Sequence, residues 1–179
     1  TNLFPGTVWG TWGTGLGILG GIFAFLVGIY SGFIMSYCRS VPFWNTGLVP
    51  LILLFAGIAD GFALMLAVGM ADPTVNIMAI ESGSRILLTV NIILIAAYLW
   101  NATYTSKTSK YSVMLLLKGS LAIPFWAGVV ILGLIIPLVI SVSSIFVGEA
   151  APLLIIAILF HTMGAVALKY VLLKAGVHN

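Results

Sequence analysis

The stretch GLVPLILLFAGIADGFALMLAVGM, residues 47–70, holds one ionisable side chain, Asp60, in a run that is otherwise apolar or small. Wound as an α-helix at about 1.5 Å per residue, it is long enough to cross a hydrocarbon core of about 30 Å. Comparable runs lie at about 14–37, 76–101, 120–146 and 151–175, which predicts five transmembrane helices. Segments such as LIAAYLW and LLIIAILF do not alternate in polarity as the strands of a membrane barrel would. The expected fold class is all-α, a polytopic bundle with residues 1–179 as one transmembrane domain. Composition agrees: 61% of residues are hydrophobic and 6% charged, against roughly 25% charged in a soluble domain, and mean hydropathy is +1.23.

Charge placement predicts orientation. With five crossings, the N-terminal stretch, the 71–75 loop and the 147–150 loop share a side, and they carry Asp72 and Glu149 but no Lys or Arg. The opposite side carries Arg39, Lys107, Lys110, Lys118, Lys169 and Lys174. The positive-inside rule makes that side cytoplasmic, with the N-terminus outside and the C-terminus inside. The pI near 9.2 reflects this bias and does not point to nucleic acid. Tyr37, Phe43, Trp44, Tyr98, Trp100, Tyr104, Phe125 and Trp126 cluster toward the inner boundary, and Trp9 and Trp12 toward the outer one, as an aromatic belt would. Cys38 is the single cysteine. With no CxxC or Cys/His cluster, the pattern predicts no metal site, and any haem or iron–sulfur cluster is expected on a partner. The chain opens with Thr and shows no signal peptide; it reads as a processed or incomplete chain.

Small residues and prolines shape the packing. Gly13, Gly17, Gly21, Ala24, Gly28 and Gly32 recur every three or four residues, a smooth stripe suited to close helix contact. Gly57 and Gly61 bracket Asp60 in the same way, which predicts that the carboxylate faces protein. Pro50, Pro124 and Pro152 fall near helix starts, where a missing N–H costs little. Pro137 lies inside helix four and should kink it unless neighbours satisfy the freed carbonyl. Residues 102–119 read as a loop holding either a short interfacial helix or the start of helix four.

Ionisable groups inside the spans carry the functional argument. Counted from the outer ends, Glu81 is about five residues deep, Arg85 about nine, and Asp60 and His161 about ten each, so they form a polar band in the outer half of the bilayer. Glu81 and Arg85 are spaced i,i+4, which predicts an ion pair; the bland alternative is that the pair merely pins helix three. Asp60 has no partner on its own helix, and a charge at that depth costs roughly 2.5–3.5 kcal/mol on insertion scales. His161 suits a proton carrier or a quinone hydrogen-bond partner; against this stands a histidine held only by a backbone carbonyl. A bis-histidine haem is disfavoured because His178 sits in the inner tail. Tyr30 and Asn91 could extend a polar path inward, although each alone reads as a packing hydrogen bond. No GxSxG, Ser-His-Asp order or HExxH supports hydrolysis.

Three ordered stretches carry a resemblance. IYSGFIMSYCRSVPFWNTGLVPLILLFAGIADGFAL (29–64), LLLKGSLAIPFWAGVVILGLIIPLVI (115–140) and HTMGAVALKYVLLKAG (161–176) resemble segments of the NrfD/polysulfide reductase membrane-subunit family. Tyr30-Ser31-Gly32 stands where that family has Tyr-Thr-Gly, a change that keeps the hydroxyl. The resemblance implies a membrane anchor that exchanges electrons between the quinone pool, menaquinone or ubiquinone, and an iron–sulfur subunit wired to a molybdopterin catalytic subunit, with no haem in this chain. Family members commonly have eight or more helices. The matches place this chain over the last five, so the upstream helices that shape much of the quinone pocket are expected to lie outside it.

The reading that follows is a quinone-interacting subunit of a respiratory oxidoreductase complex in a prokaryotic cytoplasmic membrane. Asp60, His161, Glu81 and Arg85 are its expected proton-transfer residues, and Tyr30 is a weaker quinone donor. A transporter or channel fragment binding an ion or solute at the same residues, or a purely structural anchor, are the rivals. Single cysteines at Thr74 and Ser109 in a Cys38-free background should label from opposite sides of the membrane. Labelling of both from one side would exclude the predicted topology.

Overall fold

The computed structural model describes residues 10–70, 76–147 and 151–177, with 10–14, 147 and 151 described by backbone alone. Among these residues there are helices and no strands. They are α1 (Gly10–Tyr37), α2 (Leu48–Gly69), α3 (Ile77–Thr105), α4 (Lys107–Leu117), a π-helical segment (Pro124–Ile135) that continues into α5 (Ile136–Val147), and α6 (Ala151–Lys174). Five of the resulting spans are long and apolar enough to cross a membrane: Gly15–Tyr37, Leu48–Gly69, Ile77–Thr105, Pro124–Phe146 and Pro152–Lys174.

The helices begin and end within a few residues of the apolar runs. α3 runs on to Thr105, and the segment expected as a loop is mostly the separate helix α4. Ser106 makes that separation, because its extended backbone (φ −160°, ψ 164°) breaks the ladder while its hydroxyl caps the next helix by accepting the Ser109 N–H at 3.0 Å. Asn76 caps α3 in the same manner through the Ala79 N–H at 3.1 Å.

Four spans close into a ring, α3 on α2, α2 on α6, α6 on the π segment and α5, and α5 back on α3; α1 lies outside, packed on α2. The seams follow the sequence period. On α3 the buried positions Glu81, Leu88, Ile95 and Ala102 repeat every seven residues, with Asn91 and Tyr98 beside them, the spacing of a knobs-into-holes seam. On α6 they are Leu154, His161, Gly164, Ala165, Leu168, Val171 and Leu172. The face of α1 is largely exposed, with Phe23, Val27 and Phe33 more than half accessible, which lipid tolerates because its tails are as apolar as these side chains.

The α1–α2 connection is clamped into the bundle. Val41 and Phe43 are almost fully buried. The Tyr98 hydroxyl donates to the Phe43 carbonyl at 2.8 Å and the two rings stack at a tilt, 5.0 Å apart. The Trp44 indole donates to the Leu172 carbonyl at 2.8 Å, joining this turn to the end of α6. Phe43, Tyr98 and Phe125 are therefore core residues and not belt residues, since each is at most 4% exposed. Trp100, Tyr104 and Trp126 remain exposed as a belt requires; Trp9 and the side chain of Trp12 lie outside the described residues.

Glycines matter at fewer places than the sequence stripe suggests. A Cβ at Gly32 would collide with the backbone of Pro50, whereas Gly17 and Gly21 face open space; Gly13 is not described beyond its backbone. Gly57 and Gly61 also face open space, so close helix approach does not cover Asp60 there. The tight crossing lies elsewhere, between the π segment and α6. A Cβ on Gly164 would strike the Cα of Gly133, and one on Gly128 would lie 2.9 Å from the Ala167 Cβ. Gly128 and Gly133 are five residues apart, which on an α-helix sets them about 140° apart. The wider i→i+5 closure of the π segment brings both toward α6.

This contrast is testable. Gly164→Ala should lower the thermal stability of the purified protein by the equivalent of about 1–3 kcal/mol, the usual cost of overpacking. Gly61→Ala should leave it unchanged or slightly raised. Equal effects would contradict the described crossing.

Candidate functional site

Pro137 sets up the site. It carries no N–H, so it has nothing to donate to the Gly133 carbonyl four residues earlier, the partner that an α-helix would assign. The last π-type bond runs from the Ile136 N–H to the Ile131 carbonyl, just before this gap. The Gly133 carbonyl instead meets Nδ1 of His161 at 3.1 Å. Gly133 and Gly164 lack side chains where they cross, so the imidazole, three residues before Gly164, can reach the carbonyl. The sequence expectation for Pro137 is met on its second branch, with a neighbour satisfying the freed carbonyl.

That bond fixes the chemistry of the imidazole. A carbonyl only accepts, so Nδ1 carries a hydrogen and Nε2 is the exchangeable position. Nε2 lies 3.3 Å from Asp60 Oδ1, without the alignment of a hydrogen bond. A carboxylate and a bare Nε2 would both be acceptors, so the contact is favourable when one proton resides on either member. His161 is buried, and the Asp60 side chain is one quarter exposed.

Lys169 joins the same carboxylate, with Nζ 3.8 Å from Oδ2. Charge counting assigns Lys169 to the cytoplasmic end of the last helix, with no role in the site. The signal for one is its eight-residue spacing from His161, because side chains on a helix lean toward its N-terminus and a long amine reaches back along its own face. The lysine side chain is about half exposed, and at 3.8 Å the contact is a long one.

Glu81 is handled differently from the expectation. No ion pair forms between Glu81 and Arg85. Glu81 sits on the buried α3 seam, 3% exposed, and its Oε2 accepts from the Ser144 hydroxyl on α5 at 2.7 Å. The same hydroxyl is 2.9 Å from the Ser141 carbonyl, so its single hydrogen serves two acceptors. Arg85 is off that seam, and its Nη2 donates to Ser82 at 3.1 Å. The i,i+4 spacing is real, but the seam's seven-residue period turns one side chain inward and leaves the other at the bundle surface. Tyr30 is not part of the cluster either. It is 65% exposed on α1, and α1 packs chiefly on α2. Asn91, on the α3 seam, is 2% exposed and lines a cavity with His161 and Gly133.

The structure thus brings Asp60, His161 and Lys169 into contact, holds Glu81 across a cavity that His161 also lines, and leaves Arg85 and Tyr30 outside. Among the described residues no group of three or more His, Cys, Asp or Glu side chains could hold a metal.

A multi-pass membrane protein with an ionisable cluster inside its helices is the class these features define. Residues 10–178 match the family described as polysulphide reductase, NrfD, and the chain belongs to that family. It is 29% identical to the C subunit of polysulfide reductase from Wolinella succinogenes over 162 residues, 87% of this chain and 51% of that protein. It is 27% identical to protein NrfD of Escherichia coli over 161 residues, covering 87% and 50%. The chain spans about half the length of these curated relatives. No solved structure matches it.

Because Glu81 answers to Ser144 and not to Arg85, double-mutant cycles should separate the two. Glu81→Gln with Ser144→Ala should show a coupling of about 0.5–3 kcal/mol in unfolding free energy, and Glu81→Gln with Arg85→Gln should be additive within about 0.5 kcal/mol. Strong coupling in the second cycle and none in the first would reverse the assignment.

Proposed function

We infer that this chain is the quinone-interacting part of a membrane subunit in a respiratory oxidoreductase complex, residing in a prokaryotic cytoplasmic membrane. Electrons pass between the quinone pool and an iron–sulfur partner that serves a molybdopterin catalytic subunit. Membership of the NrfD family and the likeness to the polysulfide reductase C subunit support a subunit of an oxidoreductase system. The observation that carries the quinone reading is the Asp60–His161 pair, a proton store inside the bundle with one edge open.

The fit is at that edge. The two cavities that His161 lines are only about 20 Å³ each, far below the several hundred Å³ of a small-molecule pocket. Asp60, by contrast, is partly exposed beside Gly57 and Gly61, whose bare backbone leaves open space. A flat ring approaching through lipid can reach the carboxylate there. Quinol, when bound, supplies two electrons and two protons. Asp60 accepts a proton at the exposed edge of its carboxylate, its buried Oδ1 faces Nε2 of His161, which holds the second position, and the Gly133 carbonyl keeps the imidazole oriented. Lys169 steadies the carboxylate charge from the opposite oxygen.

Asp60→Asn keeps size and most hydrogen bonding but removes the proton-accepting charge. The variant complex should assemble, lose quinone-linked turnover by roughly a hundredfold or more, and retain electron transfer among its other subunits from an artificial donor. Wild-type quinone turnover in a correctly assembled Asn variant would refute the role.

A further inference from the structure

Arg85 keeps its charge wherever it sits. A carboxylate or an imidazole inside lipid can be neutralised by gaining or losing a proton, but a guanidinium cannot, and a cation at the centre of a span costs roughly 2.5–3.5 kcal/mol on insertion scales. It needs an anion or the membrane boundary. Among the described residues the ion pairs are those of Asp60, and Glu81, the one acidic residue of α3, lies on the buried seam with Ser144. Arg85 has only Ser82, whose oxygen accepts from Nη2 at 3.1 Å while its own hydrogen goes to the Met78 carbonyl at 2.9 Å. A neutral hydroxyl takes one of the five N–H donors and supplies no opposite charge.

The bond to Ser82 also sets the depth of the charge, because it draws the guanidinium back toward the start of α3, to the level of Ser82 itself. The other end of the helix supplies a ruler. Trp100 and Tyr104 are each more than 70% exposed, with rings 5.6 Å apart, as aromatic residues at a headgroup boundary are. A hydrocarbon core of about 30 Å takes up about 20 helical residues, so the opposite boundary falls at about residues 80–84. The guanidinium stands where hydrocarbon gives way to headgroups. Its face of α3 is open: Met78 and Ile86 are more than half accessible, and Ser82 and Thr89 are exposed. Thr89 spends its hydrogen on the Arg85 carbonyl at 2.8 Å, so it offers the side chain no charge either.

We propose that Arg85 is the headgroup site for one anionic phospholipid in the leaflet where α3 begins, its guanidinium forking onto the phosphodiester oxygens while Ser82 holds the fork in place. Charge and position select this occupant. A fixed cation at a headgroup boundary, on a face whose large side chains are apolar, meets lipid phosphate before any other anion. The planar fork matches two phosphate oxygens at once. A lipid of net negative charge is favoured over a zwitterionic one, whose own ammonium competes for the same phosphate. Deeper along the helix, Ile86 and Ile93 are more than half accessible and give the acyl chain an apolar track. The site does not depend on the quinone reading.

Native mass spectrometry of the intact, delipidated complex, given phosphatidylglycerol or phosphatidylethanolamine, tests this. The wild type should retain phosphatidylglycerol in preference to phosphatidylethanolamine. Arg85→Gln should weaken phosphatidylglycerol retention by about tenfold or more, and Arg85→Lys, a point charge without the fork, should fall between the two. Equal retention by the wild type and the Gln variant would overturn the proposal, and so would a wild type that does not distinguish the two lipids. A carboxylate as the true partner, from Asp72, Glu149 or a helix of another subunit, would show itself as retention that ignores residue 85. Should the Gln variant fail to assemble, a density map of the wild-type complex in phosphatidylglycerol nanodiscs decides. Phosphate density within hydrogen-bonding distance of Arg85 would support the site; a carboxylate side chain there, or no density, would overturn it.

Discussion

One backbone carbonyl organises the interior of this bundle. Gly133 loses its α-helical donor because Pro137 has no N–H, and inside lipid an unpaired carbonyl cannot turn to solvent. His161 supplies the missing hydrogen from another helix at 3.1 Å. The need is mutual, since a buried imidazole also requires a defined partner. The glycine crossing at Gly133 and Gly164 makes the approach possible, and the π-helical turn that precedes it aligns Gly128 and Gly133 on the same side. Backbone irregularity, small residues and a polar side chain are thus parts of one solution.

The consequence for chemistry is that the imidazole is oriented before any ligand arrives. With Nδ1 occupied, Nε2 faces Asp60 at 3.3 Å, in a setting where an isolated charge on either group would be costly. Glu81 solves the same problem separately, by taking a hydroxyl from α5. Three ring helices, α2, α3 and α6, and the π–α5 span each contribute at least one polar group. The ring closes around polar groups that must find each other, and the Phe43, Trp44 and Tyr98 clamp holds its other end with donors aimed at main-chain carbonyls.

Much of this is legible in the sequence, and the exceptions share a cause. Apolar runs locate the five spans within a few residues, because length and hydropathy are set by the bilayer and not by the neighbours. The depths of Asp60, His161 and Glu81 follow by counting. Partner choice does not follow. Glu81 and Arg85 look paired by spacing, yet the seven-residue seam on α3 separates them, and the serine that Glu81 uses is 63 residues away in sequence. The π segment is hidden because its signature, Gly128 and Gly133 at a spacing of five, has no meaning on an α-helix. Phe43 and Tyr98 pass for belt residues since aromatic composition alone does not tell a ring facing lipid from one packed inside. Gly57 and Gly61 mislead in the opposite sense: small residues permit close approach without requiring it.

The central claim is that Nδ1 of His161 donates to the Gly133 carbonyl, leaving Nε2 to exchange protons with Asp60. Nitrogen-15 NMR of histidine-labelled protein tests it directly. The chain has two histidines, and a His178→Gln background leaves the His161 ring alone in the spectrum. The account predicts a protonated, hydrogen-bonded Nδ1 wherever the fold persists, with Nε2 as the nitrogen whose protonation responds to Asp60→Asn. A bare Nδ1 with the proton fixed on Nε2 would contradict it.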